Sequence, residues 1–300
     1  MSEVPKYVLA DGDSYLHGVN DKLGYWDKTS SVNFCERDFE FSPYVAEFHN
    51  TWSSLIIILL PFLGLWYSNP TNEFRFTLAY IVLIITGAGS VTLHTTLSGL
   101  GQKLDEIPML WMCTVIFYCL LDNKSKSKSK SKKGAPRSAV PYGCIAFVVC
   151  QTLIYFRIQS LYEVFVTGYL SMVVTIMLWT AKICWLDDKG GEQGLLRGLW
   201  LFSVLNYVVI GSGVWMLDMY ACEQWRQYYD MLGGMTWHII WHVGAASATY
   251  CTIQQLIVQR LSTLGLQAKL AWKFHFLPII VKARGPAKKE RGRTARAAYG

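Results

Sequence analysis

The stretch FTLAYIVLIITGAGSVTLHT (residues 76–95) contains no Asp, Glu, Lys or Arg. As a helix it would rise about 30 Å, the thickness of the hydrocarbon core of a bilayer. The whole chain has the same character, because 52% of its 300 residues are hydrophobic and only 16% are charged. This composition lies outside the usual balance of a soluble globular domain. We therefore interpret the run as one transmembrane helix of an integral membrane protein.

Apolar runs of similar length follow one another along the chain. They cover about residues 44–67, 76–95, 106–121, 138–156, 161–183, 198–217 and 234–257. The segments between them carry turn-forming residues such as Gly, Pro, Asn and Asp. The sequence predicts an all-α, seven-transmembrane helix bundle over residues 44–257, preceded by a polar segment (1–43) and followed by a basic tail (258–300).

The net charge of +7 is concentrated in a Lys-Ser run (residues 123–137) and in the end of the tail (residues 282–297). Both segments adjoin apolar runs, where Lys and Arg mark the cytosolic side and attract anionic lipid. We therefore expect contact with the membrane and no nucleic-acid partner. With seven spans the carboxyl terminus is cytosolic and the amino terminus lumenal.

Few side chains inside the predicted spans can carry chemistry. His94 ends the second span with Ser90 one turn earlier, Asp105 opens the third span, and His238 and His242 begin the seventh. Span counting brings all five residues to similar depth in the lumenal half of the bundle. Ionisable groups within a membrane are costly and are functional candidates by default.

Three neutral imidazoles with one open position are the ligand set of a catalytic zinc ion, and a nearby carboxylate could move a proton. The His238–His242 pair alone is also compatible with histidines that hydrogen-bond between helices. The pair lacks the glutamate of the H-E-x-x-H metalloprotease helix. Asp105 alone is compatible with a charge favoured by a helix dipole.

A second group of polar residues precedes the first span. Glu36, Asp38 and Glu47, together with Asn33, offer oxygen ligands of the kind that Ca²⁺ binds, although their spacing is not that of an EF-hand. A solvated acidic segment explains the same residues.

Cys35 and Cys222 are the only cysteines in the predicted lumenal segments, where oxidation is permitted. A disulfide between the amino-terminal segment and the loop before the seventh span is therefore a hypothesis that the topology allows.

Three longer stretches carry a family resemblance. GYWDKTSSVNFCERDFEFSPYVAEFHNT, GAGSVTLHTTLSGLGQKLDEIPMLW and WHIIWHVGAASATY resemble the alkaline ceramidases in order, spacing and topology, over about residues 24–258. These are seven-span zinc amidases of the ceramidase, progestin and adiponectin receptor superfamily.

The resemblance implies that His94, His238 and His242 hold zinc, with Asp105 and Ser90 beside the zinc-bound water. It also implies that Cys35 and Cys222 are bridged.

The resemblance further implies a calcium site in the amino-terminal segment. The implied ligands are Asn33, the Phe34 carbonyl, Glu36, Asp38 and Glu47. The segment departs from the usual D-W-C-E-x-N pattern, because Asn33, Phe34 and Asp38 stand where Asp, Trp and Asn are common. The exchange of Asp and Asn leaves the formal charge of the set unchanged.

The function implied is hydrolysis of the amide of ceramide, dihydroceramide or phytoceramide to a sphingoid base and a fatty acid. The implied location is the endoplasmic reticulum or Golgi membrane, and no obligate protein partner is expected. The alternatives are a seven-span receptor of the same superfamily, which would signal with little turnover, and a metal transporter. The transporter is disfavoured because the spans are almost wholly apolar on the cytosolic side of the histidines.

Overall fold

Helices make up most of the chain in the computed structural model, which describes residues 24–123, 139–158, 161–187 and 192–283. The helices are α1 (Phe48–Tyr67), α2 (Phe74–Thr96), α3 (Gly99–Asp122), α4 (Val140–Ile158), α5 (Tyr162–Lys182), α6 (Gln193–Val204), α7 (Gly213–Tyr220), α8 (Cys222–Tyr229) and α9 (His238–Thr263). Wide π-type turns extend α5 over Ile183–Asp187 and join α6 to α7 over Leu205–Ser212. Each predicted apolar run therefore overlaps one helix, or, for residues 198–217, two helices joined by a wide turn.

Six helices within the described ranges are long and apolar enough to cross a membrane. These are Phe48–Tyr67, Phe74–Thr96, Gly99–Asp122, Val140–Ile158, Tyr162–Leu186 and Gln193–Tyr220. A mostly helical membrane architecture is thereby supported. The predicted seventh span corresponds to α9, which is more polar than the other six because it carries two histidines, several glutamines and Arg260.

α9 is the most deeply packed helix at the centre of the bundle. Its side chains from Ile253 to Val258 are almost completely buried, and they pack against α1 and α6. They belong to the larger of two clusters of buried hydrophobic side chains, which we call the main core. Nearer its start, α9 also approaches the wide turn over Leu205–Ser212, and Gly244 permits this approach because a Cβ there would meet the Asn206 carbonyl oxygen at 2.7 Å. The functional residues at the start of α9 are therefore fixed by a rigid central element.

The described part of the predicted basic tail contains secondary structure that the sequence did not predict. α9 continues past residue 258 to Thr263, and β1 (Ala268–Lys273) then pairs antiparallel with β2 (Leu277–Lys282). β2 buries Leu277 and Ile280 completely in the main core, because its apolar residues cover one end of the bundle. We call this end the hairpin end; residues 284–300 and most of the Lys-Ser run lie outside the described ranges.

The opposite end of the bundle is covered by residues 24–47, which we call the amino-terminal cap. The backbone N–H groups of Thr29 and Ser30 both donate to the Leu97 carbonyl, each at 3.0 Å, and so attach the cap to the α2–α3 turn. A disulfide joins Cys35 of the cap to Cys222 at the start of α8, with the Cα atoms 5.3 Å apart. The end of α2 and the start of α9 both lie beneath this cap.

Candidate active site

The central feature under the cap is a group of three buried histidines. His94 at the end of α2 and His238 and His242 in the first turns of α9 are at most 3% exposed. Their ligand-type nitrogens all lie within 4.8 Å of one another, and among the described residues no other group of three His, Cys, Asp or Glu side chains approaches this closely. The structure thus brings together the three histidines that span counting placed at one depth.

Two of the three rings are oriented by hydrogen bonds on the outer side. His94 Nδ1 contacts Glu47 Oε2, which as a carboxylate can only accept, so this nitrogen carries the proton. His242 Nδ1 lies 2.7 Å from Ser53 Oγ, which itself donates to the Asn50 carbonyl. Both assignments leave Nε2 with its lone pair, the form in which imidazole binds a metal.

His238 completes the group and differs from the other two. Its Nδ1 is buried and has no hydrogen-bond partner in the described part of the chain. The ring of Phe34 packs against it at a tilt of 39°, with a centroid distance of 3.9 Å, and lies 5.1 Å from the ring of His94. Three converging imidazoles, one with an unused buried nitrogen, fit the requirements of a zinc ion.

A close contact between α2 and α3 positions the residues beside the histidines. α3 begins at Gly99, with Ser98 Oγ accepting from the Gly101 N–H at 3.0 Å, so Asp105 lies in the second turn and not at the helix start as predicted. Pro108 is inside the helix and cannot donate to the Leu104 carbonyl. A Cβ at Gly89 would collide with that same carbonyl, so glycine allows α2 and α3 to touch beside Ser90 and Asp105.

Ser90 and Asp105 both line the cavity in front of the histidines. Ser90 Oγ lies 3.4 Å from His242 Nε2 and 2.9 Å from Ser54 Oγ. The Asp105 carboxylate forms no hydrogen bond or ion pair with the residues that the structure describes, whereas its neighbour Glu106 accepts from Gln102 (2.9 Å) and Tyr155 (2.7 Å). Of the two adjacent carboxylates, Asp105 is therefore the one available to a ligand.

The cavity is long, narrow and mostly apolar. Its volume is about 170 Å³, and its lining on α9 extends from His238 to Gln255. These positions are separated by about 25 Å of helix at 1.5 Å per residue. Aromatic side chains including Tyr169, Tyr207 and Trp241 form part of its wall. Such a shape suits an extended hydrocarbon chain with its polar group beside the histidines.

The residues predicted as calcium ligands are engaged in separate contacts. Glu47 accepts from His94 and from the Phe34 N–H at 3.1 Å. Glu36 accepts from the backbone N–H groups of His49 (2.6 Å) and Asn50 (2.8 Å) at the start of α1. Burial raises the pKa of Glu36 well above its ordinary value, the Glu47 charge raises it further, and the two N–H groups lower it.

The remaining members of that predicted set face a lysine. Asp38 Oδ2 accepts from Lys28 Nζ at 2.7 Å and from Asn33 Nδ2 at 3.1 Å, while Asn33 Oδ1 accepts from the Phe34 N–H at 2.9 Å. Ca²⁺ requires six to eight oxygen ligands directed at one point. With the Lys28 ammonium against Asp38 and Glu47 bound to His94, these side chains do not converge on one calcium ion.

Sequence reasoning missed one buried acid next to the site. Asp218 at the end of α7 accepts from the Cys35 N–H at 3.1 Å and from the His238 N–H at 3.2 Å, so it links the disulfide to the start of α9. It also missed that Glu47 and Ser53 orient ring nitrogens. The only available signal for Asp218 is a single carboxylate in the apolar stretch GVWMLDMY.

Comparison with known proteins shows where the chain belongs. The family model described as Ceramidase matches residues 26–281. The chain is 27% identical over 275 residues to Alkaline ceramidase 3 of Mus musculus, covering 87% of this chain and 96% of the relative. It is 26% identical over 273 residues to Alkaline ceramidase of Arabidopsis thaliana, covering 91% of this chain and 97% of the relative. It is 24% identical over 288 residues to Alkaline ceramidase YPC1 of Saccharomyces cerevisiae, covering 89% of each chain.

The family match covers the cap, all three histidines, Ser90 and Asp105. The resemblance carried by the three sequence stretches is thereby confirmed: the chain belongs to the ceramidase family.

Proposed function

We propose that this protein is an alkaline ceramidase, a zinc-dependent amidohydrolase that cleaves ceramide-type lipids into a sphingoid base and a fatty acid. The observation that carries the proposal is the convergence of three buried imidazoles with Ser90 and Asp105 at one end of a long apolar cavity. Relatives named alkaline ceramidases support the choice of substrate class. Ceramide, dihydroceramide and phytoceramide share the amide and the two chains that this site would accept.

A zinc ion held by His94, His238 and His242 would supply Lewis-acid activation of the amide carbonyl and of water. Ser90 donates a hydrogen bond to the carbonyl oxygen as negative charge develops on it. Asp105 accepts the proton of the attacking water and delivers it to the amide nitrogen, so that the C–N bond breaks and a neutral amine leaves. The water oxygen is retained in the fatty acid.

The remaining residues position this machinery. Glu47 and Ser53 hold the rings of His94 and His242 with their lone pairs directed inward. The cavity keeps a lipid chain away from water while the amide reaches the histidines. Phe34 and the Cys35–Cys222 bridge cover the site from above.

The proposed topology has seven spans, with α9 as the seventh. At 26 residues α9 is about 39 Å long, enough to cross a bilayer. Its polar side chains His238, His242, Gln254 and Gln255 are buried and do not face lipid. By the positive-inside rule the cap is lumenal and the hairpin end cytosolic. The family resemblance supports the endoplasmic reticulum or Golgi membrane as the compartment.

The decisive experiment measures lipid products from purified protein in lipid nanodiscs. Mass spectrometry should detect release of sphingoid base and fatty acid in equal amounts from a panel of ceramides. His242→Ala should lose bound zinc, measured by elemental analysis, and at least 10³-fold in turnover, since it removes one of the three metal ligands. His49→Ala, which changes a histidine of α1 outside the group, should retain both.

If His242→Ala kept stoichiometric zinc and full turnover, the assignment would be wrong. If the wild-type protein bound ceramide without releasing products, a receptor would be the better interpretation.

A further inference from the structure

Asp38 is a completely buried carboxylate in the amino-terminal cap. An unpaired charge at such a position is strongly destabilising, because burial removes its hydration. Lys28 Nζ lies 2.7 Å from Asp38 Oδ2 and supplies a compensating positive charge. The Lys28 side chain is 24% exposed. It therefore reaches from the surface of the cap to the buried carboxylate of Asp38.

Arg37 does not provide this charge, although it adjoins Asp38 in sequence. Its guanidinium pairs with Asp230 at 2.7 Å and Glu40 at 3.5 Å, and lies 4.3 Å from the centroid of the Tyr229 ring. Arg37 thus binds the segment after α8, outside the Asp38 contact.

The Lys28–Asp38 pair is connected to the histidine group by three successive contacts. Asp38 accepts from the Asn33 amide, and the Asn33 oxygen accepts from the Phe34 N–H at 2.9 Å. The Phe34 ring in turn packs against the ring of His238. Loss of the positive charge beside Asp38 would therefore be expected to change the position of Phe34, which covers the three histidines.

We propose that the Lys28 ammonium is the built-in cation of the amino-terminal cap, so that the cap holds Phe34 over the histidines without calcium. The contacts that carry the proposal are the 2.7 Å ion pair with buried Asp38, and the separate partners of Glu36 and Glu47 at the α1 start and at His94. Lys28 is a positioning residue. The proposal concerns the cation of the cap and stands independently of the reaction at the histidines.

The test compares calcium dependence in wild type and in a charge-removed variant. Full-length protein in nanodiscs is studied at buffered free Ca²⁺ from about 10 nM to 1 mM. We measure thermal unfolding, ⁴⁵Ca²⁺ binding and bound zinc in every sample. For wild type we expect less than a twofold change in turnover, no stoichiometric ⁴⁵Ca²⁺ and no shift in Tm.

Lys28→Met should lower Tm and reduce turnover several-fold, with both partly restored by millimolar Ca²⁺, because the substitution removes the ammonium that lies against buried Asp38. Lys28→Arg should behave as wild type, since it keeps the charge. Lys269→Met on the exposed part of β1 is the matched control, and its calcium response should equal that of wild type.

If Lys28→Met fails to fold, Lys28→Met with Asp38→Asn should fold, since the pair is then removed together. Failure of this double variant, or a Lys28→Met protein as stable as wild type, would overturn the proposal. Stoichiometric ⁴⁵Ca²⁺ binding to wild type, with loss of Tm in chelator at unchanged zinc content, would also overturn it. Binding and unfolding need no ceramide, so these outcomes are distinct from failure of the proposed function.

Discussion

Gln254 at the hairpin end and His238 at the cap end are both buried polar side chains of α9, but their environments differ. Gln254 accepts from Ser68 Oγ and donates to Tyr80 Oη at 2.7 Å, so both ends of its amide are bound by protein. His238 leaves a buried ring nitrogen without a partner among the described residues. The hydrogen-bonding groups of the Gln254 amide are thus occupied by protein, whereas His238 has a ring nitrogen that a ligand could use.

The charged residues of the hairpin end also form ion pairs with one another. Glu73 bridges Arg75 and Arg260, and Arg75 also pairs with Asp122 at 2.7 Å. These contacts join α2, α3 and α9 where they emerge from the bundle. At the cap end Asp105 has no such partner in the described chain, and it lines the cavity with Ser90. Burial of polar groups therefore does not by itself mark a site; the cap end differs because three potential metal ligands and a carboxylate without a protein partner among the described residues lie beside one cavity.

Among substitutions that leave the three histidines in place, the largest effect on turnover is expected from Asp105→Asn, which removes the open carboxylate while keeping its shape. We predict a fall of about 10² to 10⁴ in turnover, the usual contribution of a positioned acid–base group, with zinc retained. Glu106→Gln changes the neighbouring carboxylate that is already bound by Gln102 and Tyr155, and should be far more active. Product release by Asp105→Asn at the wild-type rate would remove Asp105 from the mechanism.

A smaller effect is expected from Glu47→Gln, because Glu47 acts through His94. Loss of the charge that holds the His94 Nδ1 proton should weaken zinc affinity or turnover by about 10- to 100-fold. Zinc competition with a chromophoric chelator and product assays would measure both quantities. Glu223→Gln on the exposed face of α8 serves as the control, and equal values for the two variants would contradict this role of Glu47.

The smallest effect on turnover is expected at the hairpin end. Gln254→Leu deprives Ser68 and Tyr80 of a partner and should destabilise the fold by about 1–3 kcal/mol. Zinc content and turnover per folded molecule should stay within twofold of wild type. Thermal unfolding and product assays on the same preparation separate the two effects, and a selective loss of turnover would show that the two ends are coupled.

Much of the architecture was predictable because the bilayer imposes simple rules. Length and apolarity located the helices, and counting them placed His94 and His238 at one depth. The start of α3 was predicted too late because residues 99–105 are polar, although they continue the helix from its Ser98 cap. The β-hairpin was missed because its strands are short and were read as part of a basic tail.

Contacts between side chains that are far apart in sequence could not be predicted from the spacing of residues. Glu47 was assigned with the acidic residues around it, whereas the structure places it against His94. Likewise, no spacing in the sequence relates Lys28 to Asp38 or Asp218 to His238.

The sequence alone determined that this is a helical membrane protein with three histidines, a serine and an acid available for chemistry, since these conclusions depend on composition and span length. Only the tertiary structure decided which polar groups are matched and which are open. It paired Glu106 and Gln254 with protein partners, placed the Lys28 ammonium against Asp38, and left His238 and Asp105 lining the cavity. The physical reason is that hydrogen bonds and ion pairs depend on distances of about 3 Å between side chains on different elements, which a linear pattern does not encode.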